Sequence, residues 1–141
     1  MEMVDRLVEK FKEFTRAKGM KVTPQRVAIY RELVSRCDHP SAEDIYEALR
    51  SKFAGISLAT VYRTLTNLEK VDLATKVATV NGIARFDGNV KPHSHFICNK
   101  CGRVIDIDCK VKIDIEKLKE MNLSAEKCEL TCYGICDKCQ H

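Results

Sequence analysis

The amino-acid sequence predicts a mixed α/β (α+β) protein in which helices come first and short strands follow. The first 71 residues repeat apolar side chains at the spacing of amphipathic helices. Two β-rich runs then flank Asn81-Gly82, which is a strong signal for a hairpin turn. The last third of the chain holds short apolar runs and two Cys-x-x-Cys pairs, which predict a second, smaller domain.

Four helices are expected in the first half of the chain, and local signals mark their ends. The first covers about 3–16 and ends before Gly19. Thr23 and Pro24 provide an N-cap and a first-turn proline for the second, at about 24–36. Serines cap the third and the fourth. These caps are Ser41, followed by an acid three residues later, and Ser57, which opens a helix at about 57–71.

Helices followed by a hairpin form the element order of a winged helix-turn-helix domain, which we place at 1–88. Residues 88–92 resemble a linker, and a small α/β domain is expected at 93–141. Its expected elements are strands at 94–98, 103–108 and 127–133 and a helix near 113–122.

Composition excludes several classes of protein. The chain has 141 residues, 45% hydrophobic residues and a net charge of +4, so its mild basicity permits nucleic-acid binding without requiring it. Its first residues lack the pattern of a signal peptide, and no apolar run reaches the roughly 18 residues needed to span a bilayer. We therefore expect a cytoplasmic protein without membrane contacts. In that reducing compartment, eight cysteines are better interpreted as metal ligands and free thiols than as disulfides.

The two Cys-x-x-Cys pairs, Cys98 with Cys101 and Cys136 with Cys139, predict a structural zinc site. Four thiolates in two short loops suit a closed tetrahedral site. The identical spacing, beside glycine-containing turns, favours zinc over two redox dithiols or unrelated buried cysteines. The other cysteines are expected to be small buried side chains. They are Cys37, Cys109, Cys128 and Cys132.

A second set of possible metal ligands has harder donor atoms, nitrogen and oxygen in place of sulfur. His93 and His95 would point to one face of a strand. Asp87 at the end of the hairpin, Asp106 on the next strand and His39 before the third helix could converge with them, although spacing alone does not establish it. Imidazole and carboxylate ligands suit a more open site for a different metal.

The fourth helix has a polar face opposite its apolar stripe. This face contains short polar groups and arginine but no acid, which suits a helix lying in a DNA major groove. An ordinary solvated face is the alternative, but the hairpin that follows favours DNA, because a wing can reach adjacent phosphates. The face consists of Ala59, Thr60, Arg63, Thr66, Asn67 and Lys70, with Tyr62 at its edge.

Several motifs in fixed order resemble the ferric uptake regulator (Fur) family over essentially the whole chain. They are Thr23-Pro24-Gln25-Arg26, His39-Pro40-Ser41-Ala42-Glu43-Asp44-Ile45-Tyr46, Ala59-Thr60-Val61-Tyr62-Arg63-Thr64-Leu65, His93-x-His95-x-x-Cys98-x-x-Cys101-Gly102 and Tyr133-Gly134-x-Cys136-x-x-Cys139.

This resemblance implies a homodimeric transcription factor with an N-terminal winged helix and a C-terminal α/β dimerisation domain. It implies structural zinc on Cys98, Cys101, Cys136 and Cys139. It also implies a regulatory metal, Fe²⁺ or Mn²⁺, on His39, Asp87, His93, His95 and Asp106. We expect contacts to double-stranded operator DNA from Arg26, Thr60, Tyr62, Arg63 and Asn67.

The subtype depends on two features that point to different branches. Asp87 and Asp106 resemble the carboxylates of the peroxide-sensing, PerR-like branch, whereas 61–65 resembles the recognition helix of iron regulators. Our interpretation is a peroxide-sensing repressor, with an iron-responsive repressor of iron uptake genes as the alternative. A metal-dependent enzyme is an alternative of another class, disfavoured because the sequence shows no separate general base. A zinc protein that binds no DNA is a third alternative.

Overall fold

The computed structural model describes residues 2–80, 82–89, 94–107, 112–126 and 128–140. Asn81 of the expected turn, His93 and Cys109 therefore lie outside the described residues. The chain divides into two compact units, Met1–Val90 and Lys91–His141, each described here by itself.

The first unit begins with four helices, each of which starts within one residue of its predicted position. The third ends at Leu49, whereas the apolar spacing of the sequence predicts that it continues until Gly55. The predicted caps form: the Thr23 side chain accepts from the backbone N–H of Arg26, and Ser57 accepts from that of Thr60. Ser41 and Asp44 form a capping box, in which each side chain accepts from the other residue's backbone. The helices are α1 (Glu2–Ala17), α2 (Pro24–Ser35), α3 (Ala42–Leu49) and α4 (Leu58–Lys70).

The core of this unit lies where α2 meets its neighbours. Phe11 of α1 stacks on Tyr30 of α2 with ring centroids 4.6 Å apart. Helical spacing predicts that Val27 and Val34 are buried on one face of α2. In the structure both are half-buried, whereas Ile29 is fully buried. The difference arises because α2 contacts α1, α3, α4 and the hairpin, so its apolar residues are spread around the helix.

A hairpin follows the helices and completes the winged-helix order. Strands β1 (Thr75–Val80) and β2 (Ile83–Asp87) pair antiparallel, with Val80 opposite Ile83. Beyond β2, Gly88 lies tightly against α2: a Cβ there would be 2.7 Å from Val34 Cγ1. The missing side chain thus allows the end of β2, and with it Asp87, to lie close to α2.

The second unit is a three-stranded sheet with one short helix. Its elements are β3 (Ser94–Cys98), β4 (Val104–Ile107), α5 (Ile115–Glu120) and β5 (Thr131–Gly134). The strand order is β4-β3-β5, with β4 antiparallel and β5 parallel to β3. Helices plus small sheets confirm the predicted α/β (α+β) class. No helix in the described ranges is long and apolar enough to cross a membrane.

Two elements of this unit are shorter than the sequence indicates. Helix α5 begins after Asp114, whose side chain accepts from the backbone N–H of Lys117. It ends before Asn122, whose left-handed backbone (φ 60°) cannot continue a helix. Strand β5 covers only the residues that lie opposite β3, so Cys128 is outside the strand. The prediction of buried thiols is wrong for Cys37 and Cys128, which are exposed, and Cys132 is half-buried.

Candidate metal centres and recognition helix

The paired cysteines of the second unit meet at one edge of its sheet. Cys98 ends β3, and Cys136 follows β5 by two residues. Because β3 and β5 are parallel neighbours, with Cys98 opposite Gly134, their carboxyl ends lie at the same edge. Tight turns then bring Cys101 and Cys139 back: the N–H of Gly102 donates to the Cys98 carbonyl at 2.9 Å.

The four sulfur atoms have the spacing of a tetrahedral metal site. All four lie within 4.8 Å of one another, and Cys101 Sγ is 3.8 Å from Cys136 Sγ. A zinc ion with four Zn–S bonds of about 2.3 Å separates its sulfurs by about 3.8 Å. A disulfide requires about 2.05 Å, and all four cysteines are free thiols. The donor set therefore fits zinc.

Backbone groups stabilise negative charge on the buried Cys98 thiol. The N–H groups of Cys101 and Cys136 donate to Cys98 Sγ at 3.5 and 3.4 Å, which lowers the pKa of Cys98 to about 6. Hydrogen bonding with Cys136 instead raises the pKa of Cys139 to about 12. The directions differ because backbone N–H groups stabilise the Cys98 thiolate, whereas Cys139 keeps a proton that hydrogen-bonds to a neighbouring sulfur. A bound cation would balance the charge of four thiolates at this spacing.

An ion pair also holds the second cysteine loop. Arg103, immediately before β4, donates to Asp137 between Cys136 and Cys139 at 2.8 Å. This hydrogen bond lowers the pKa of Asp137. The contact connects the loop that carries Cys136 and Cys139 to the turn between β3 and β4, which carries Cys101.

A His–carboxylate pair lies in the first unit. His39 precedes α3, Asp87 ends β2, and both side chains are buried. Nε2 of His39 is 3.3 Å from Oδ2 of Asp87. The His39 backbone is left-handed, with φ 53°, an uncommon conformation for a residue other than glycine.

A second His–carboxylate pair lies in the other unit. His95 and Asp106 are directly opposite each other on β3 and β4. Nε2 of His95 is 3.2 Å from Oδ1 of Asp106, with the imidazole buried and the carboxylate about half exposed. Each unit thus carries one imidazole beside one carboxylate, a nitrogen-and-oxygen donor pair. His93, the remaining predicted ligand, lies outside the described residues.

The polar face of α4, the candidate recognition helix, is partly exposed. Arg63 and Tyr62 are exposed, and Thr60 and Asn67 are half-buried. The Tyr62 hydroxyl donates to Oε1 of Glu43 on α3 at 2.7 Å, which raises the pKa of Tyr62 and lowers that of Glu43. Tyr62 therefore keeps its proton and is held at a fixed place on the surface.

Arg26 lies on α2 rather than on the recognition helix. Its Nη1 donates to the Lys21 carbonyl at 2.8 Å, which ties the side chain to the loop before the helix. The guanidinium keeps further N–H groups that can donate to a phosphate.

Two neighbours of these sites had no role assigned from the sequence. Glu43 is the partner of Tyr62, and the separation of 19 residues provides no signal for it. Arg85 lies two residues before Asp87 on β2, which puts both side chains on one face of the strand. That alternation is a signal from which Arg85 could have been found.

Comparisons with known proteins agree with this architecture. Residues 17–133 match the Ferric uptake regulator family. A peroxide-responsive repressor, PerR, of Staphylococcus epidermidis is 33% identical over 144 residues, covering 99% of this chain and 95% of that protein.

Two solved structures show that the similarity includes the fold. The ferric uptake regulator of Helicobacter pylori is 25% identical, with a TM-score of 0.80 over 98% of this chain and 94% of that one. The ferric uptake regulator of Pseudomonas aeruginosa is 32% identical, with a TM-score of 0.66 over 89% and 97% of the two chains. The chain belongs to the Ferric uptake regulator family.

Proposed function

We propose that this protein is a metal-dependent, DNA-binding transcriptional repressor that responds to peroxide. The observation that carries the proposal is the pairing of a four-thiolate site with two His–Asp pairs in a chain resembling PerR over almost its full length. Residues 1–88 are the DNA-binding domain, and residues 93–141 are the dimerisation and zinc-binding domain.

The structural metal is zinc, held by Cys98, Cys101, Cys136 and Cys139. The spacing of the four sulfurs supports this assignment. All four positions of a tetrahedral ion are occupied by protein sulfur, so the site is closed and suits stability rather than reactivity.

The regulatory metal is Fe²⁺ or Mn²⁺, held by His39, Asp87, His93, His95 and Asp106. Imidazole and carboxylate donors suit iron and manganese, and the set contains no thiolate. The structure of the Pseudomonas aeruginosa relative was solved with manganese. Bound Fe²⁺ would supply the electrons that reduce peroxide next to a ligating imidazole. Oxidation of that histidine would weaken its binding to the metal.

The metal affects DNA binding because its ligands come from both domains. His39 and Asp87 belong to the DNA-binding domain, whereas His93, His95 and Asp106 belong to the dimerisation domain. Their metal stabilises the DNA-competent state by its higher affinity for that state. In a dimer, the DNA-competent state is the one in which the spacing of the two recognition helices equals the spacing of the two half-sites on the duplex.

DNA is read by the exposed face of α4. Arg63 and Asn67 have the hydrogen-bonding groups that distinguish base edges in the major groove, and Tyr62 can contact a thymine methyl. We assign Thr60 and Arg26 to contacts with the phosphate backbone, which would fix the register of the protein on the duplex.

A homodimer is supported by the apolar surface of the second unit. Isoleucines and other large apolar side chains are exposed on and around α5 and β5, and such surfaces mark association sites. They are Ile113, Ile115, Met121, Leu123, Tyr133 and Ile135. We place the protein in the cytoplasm, where operator DNA and reduced thiols occur together.

The proposal is tested by DNA binding before and after exposure to peroxide. The Fe²⁺ form should lose operator binding at low peroxide doses, with one oxygen added to His39 or His93 and no recovery with thiol reductants. The Mn²⁺ form should resist. Oxidation of the zinc thiols would instead be independent of the regulatory metal and at least partly reversible by thiols.

An iron-responsive repressor is the second candidate. It is favoured by residues 61–65 of α4 and by the likeness to the Helicobacter pylori regulator. If peroxide leaves both histidines unmodified while Fe²⁺ alone controls DNA binding, this candidate replaces the first.

We propose no enzymatic activity, in keeping with a family of regulators. Oxidation of a ligand consumes the sensor, so it is a signal rather than a turnover. Repeated conversion of substrate by the Fe²⁺ form would contradict this part of the proposal.

A further inference from the structure

We infer that Arg85 is a positioning residue that holds the His39 loop ready for the regulatory metal. The inference rests on the proposed function, in which His39 is a ligand. It concerns contacts within the first unit only.

The backbone of His39 needs external support. It is left-handed at φ 53° and buried between α2 and α3. Histidine enters this region more readily than most residues, but such a conformation persists only where its surroundings hold it. The neighbours that contact this loop therefore decide where the imidazole lies.

Three consecutive residues of β2 contact this loop. Asp87 lies beside the His39 imidazole at 3.3 Å, and the N–H of Phe86 donates to the Pro40 carbonyl at 2.9 Å. Nη1 of Arg85 donates to the His39 carbonyl at 3.3 Å. One strand thus holds both the side chain and the backbone of the proposed ligand.

Arg85 is itself fixed at a second point. Its Nη1 is 3.5 Å from Oδ2 of Asp44, and the same oxygen accepts from the backbone N–H of Ser41 at 2.9 Å. The guanidinium therefore connects β2, the His39 carbonyl and the capping box of α3. A neutral side chain at position 85 would remove the donor to His39 and leave the capping box in place.

The preceding residues have their own support from Arg36. Arg36 forks onto Asp38 with hydrogen bonds of 2.9 and 2.7 Å and also donates to the Asp44 carbonyl at 3.4 Å. Loss of Arg85 should therefore loosen the His39 position without unfolding the loop.

The test is a calorimetric titration of Mn²⁺ into zinc-loaded wild type, Arg85→Met, Arg50→Met and His39→Ala. Arg50 is a matched control, since it pairs with Glu47 on the exposed surface of the same unit. We expect Arg85→Met to raise the Mn²⁺ dissociation constant about tenfold or more, in the range typical for residues that orient metal ligands. Arg50→Met should bind like wild type, and zinc content should be equal throughout.

The outcomes separate this inference from the proposed function. Equal Mn²⁺ affinity in wild type and His39→Ala would remove His39 as a ligand and overturn the proposed site. If His39→Ala binds Mn²⁺ weakly and Arg85→Met binds Mn²⁺ as tightly as wild type, only the role of Arg85 is overturned. This holds even if the melting temperature of Arg85→Met is lower than that of wild type. If Arg85→Met does not fold, Arg85→Gln, whose amide ends short of the Nη1 position, is judged by the same rule.

Discussion

At the scale of single residues, Arg63 carries the sharpest expectation about DNA. Arg63→Ala should weaken specific operator binding by roughly 1–3 kcal/mol, because a guanidinium that forks onto a guanine contributes about that much discrimination. Fluorescence anisotropy with an operator obtained by selection and with a random duplex measures both affinities. Arg50→Ala, which removes an exposed arginine outside α4, is the control. Equal losses on the two duplexes would make Arg63 a phosphate contact only.

Cys98 carries the second residue-scale prediction. Cys98→Ser should lose zinc and destabilise the second unit, since zinc binding contributes on the order of 10 kcal/mol to the folding of small sites. Elemental analysis and thermal unfolding measure the effect. Cys128→Ser is the control, because Cys128 is an exposed thiol outside the four-sulfur cluster. A zinc-free Cys98→Ser protein that stays folded and dimeric would refute the structural role.

At the scale of elements, α4 has one face in the core and an opposite face that we propose binds DNA. Val61 and Leu65 are fully buried on one side, while Arg63 is exposed on the other. The helix begins at Ser57, whose hydroxyl accepts from the backbone N–H of Thr60 at 3.1 Å. The first residue of α4, Leu58, is thus set by the local hydrogen bond of the Ser57 cap.

Ser57→Ala should therefore cost about 1 kcal/mol of stability, because the N–H of Thr60 loses its acceptor. Urea unfolding followed by circular dichroism measures the change. Ser57→Asn keeps a capping oxygen and should stay close to wild type. Equal stability of the alanine and wild-type proteins would show that packing, rather than the cap, holds the start of α4.

At the scale of the whole molecule, the proposed regulation depends on ligands from both units. His39→Ala removes one ligand from the DNA-binding side and should abolish metal-dependent DNA binding while leaving zinc content unchanged. In wild type, Mn²⁺ should raise operator affinity about 5- to 150-fold, the usual range of coupling between two sites. DNA titrations with and without Mn²⁺ measure both effects. A wild-type protein with equal affinity in the two conditions would contradict the allosteric mechanism.

The amino-acid sequence by itself determined the elements and their order. Helix ends at Thr23, Ser41 and Ser57 depend on hydrogen bonds to residues three positions later, and such short-range contacts can be read from a sequence. The two Cys-x-x-Cys pairs likewise identify the kind of metal site through their local spacing. The family resemblance adds the choice of metals and of DNA as a partner.

Only the tertiary structure decided which distant residues meet. Parallel pairing of β3 with β5 brings Cys98 beside the loop of Cys136, and packing of β2 against the His39 loop supplies Arg85 as its donor. It also places Glu43 against Tyr62 and shortens β5 to the residues that face β3. Apart from the alternation that puts Arg85 on the same strand face as Asp87, no local pattern indicates these contacts. They depend on strand pairing and side-chain packing between residues far apart in the chain.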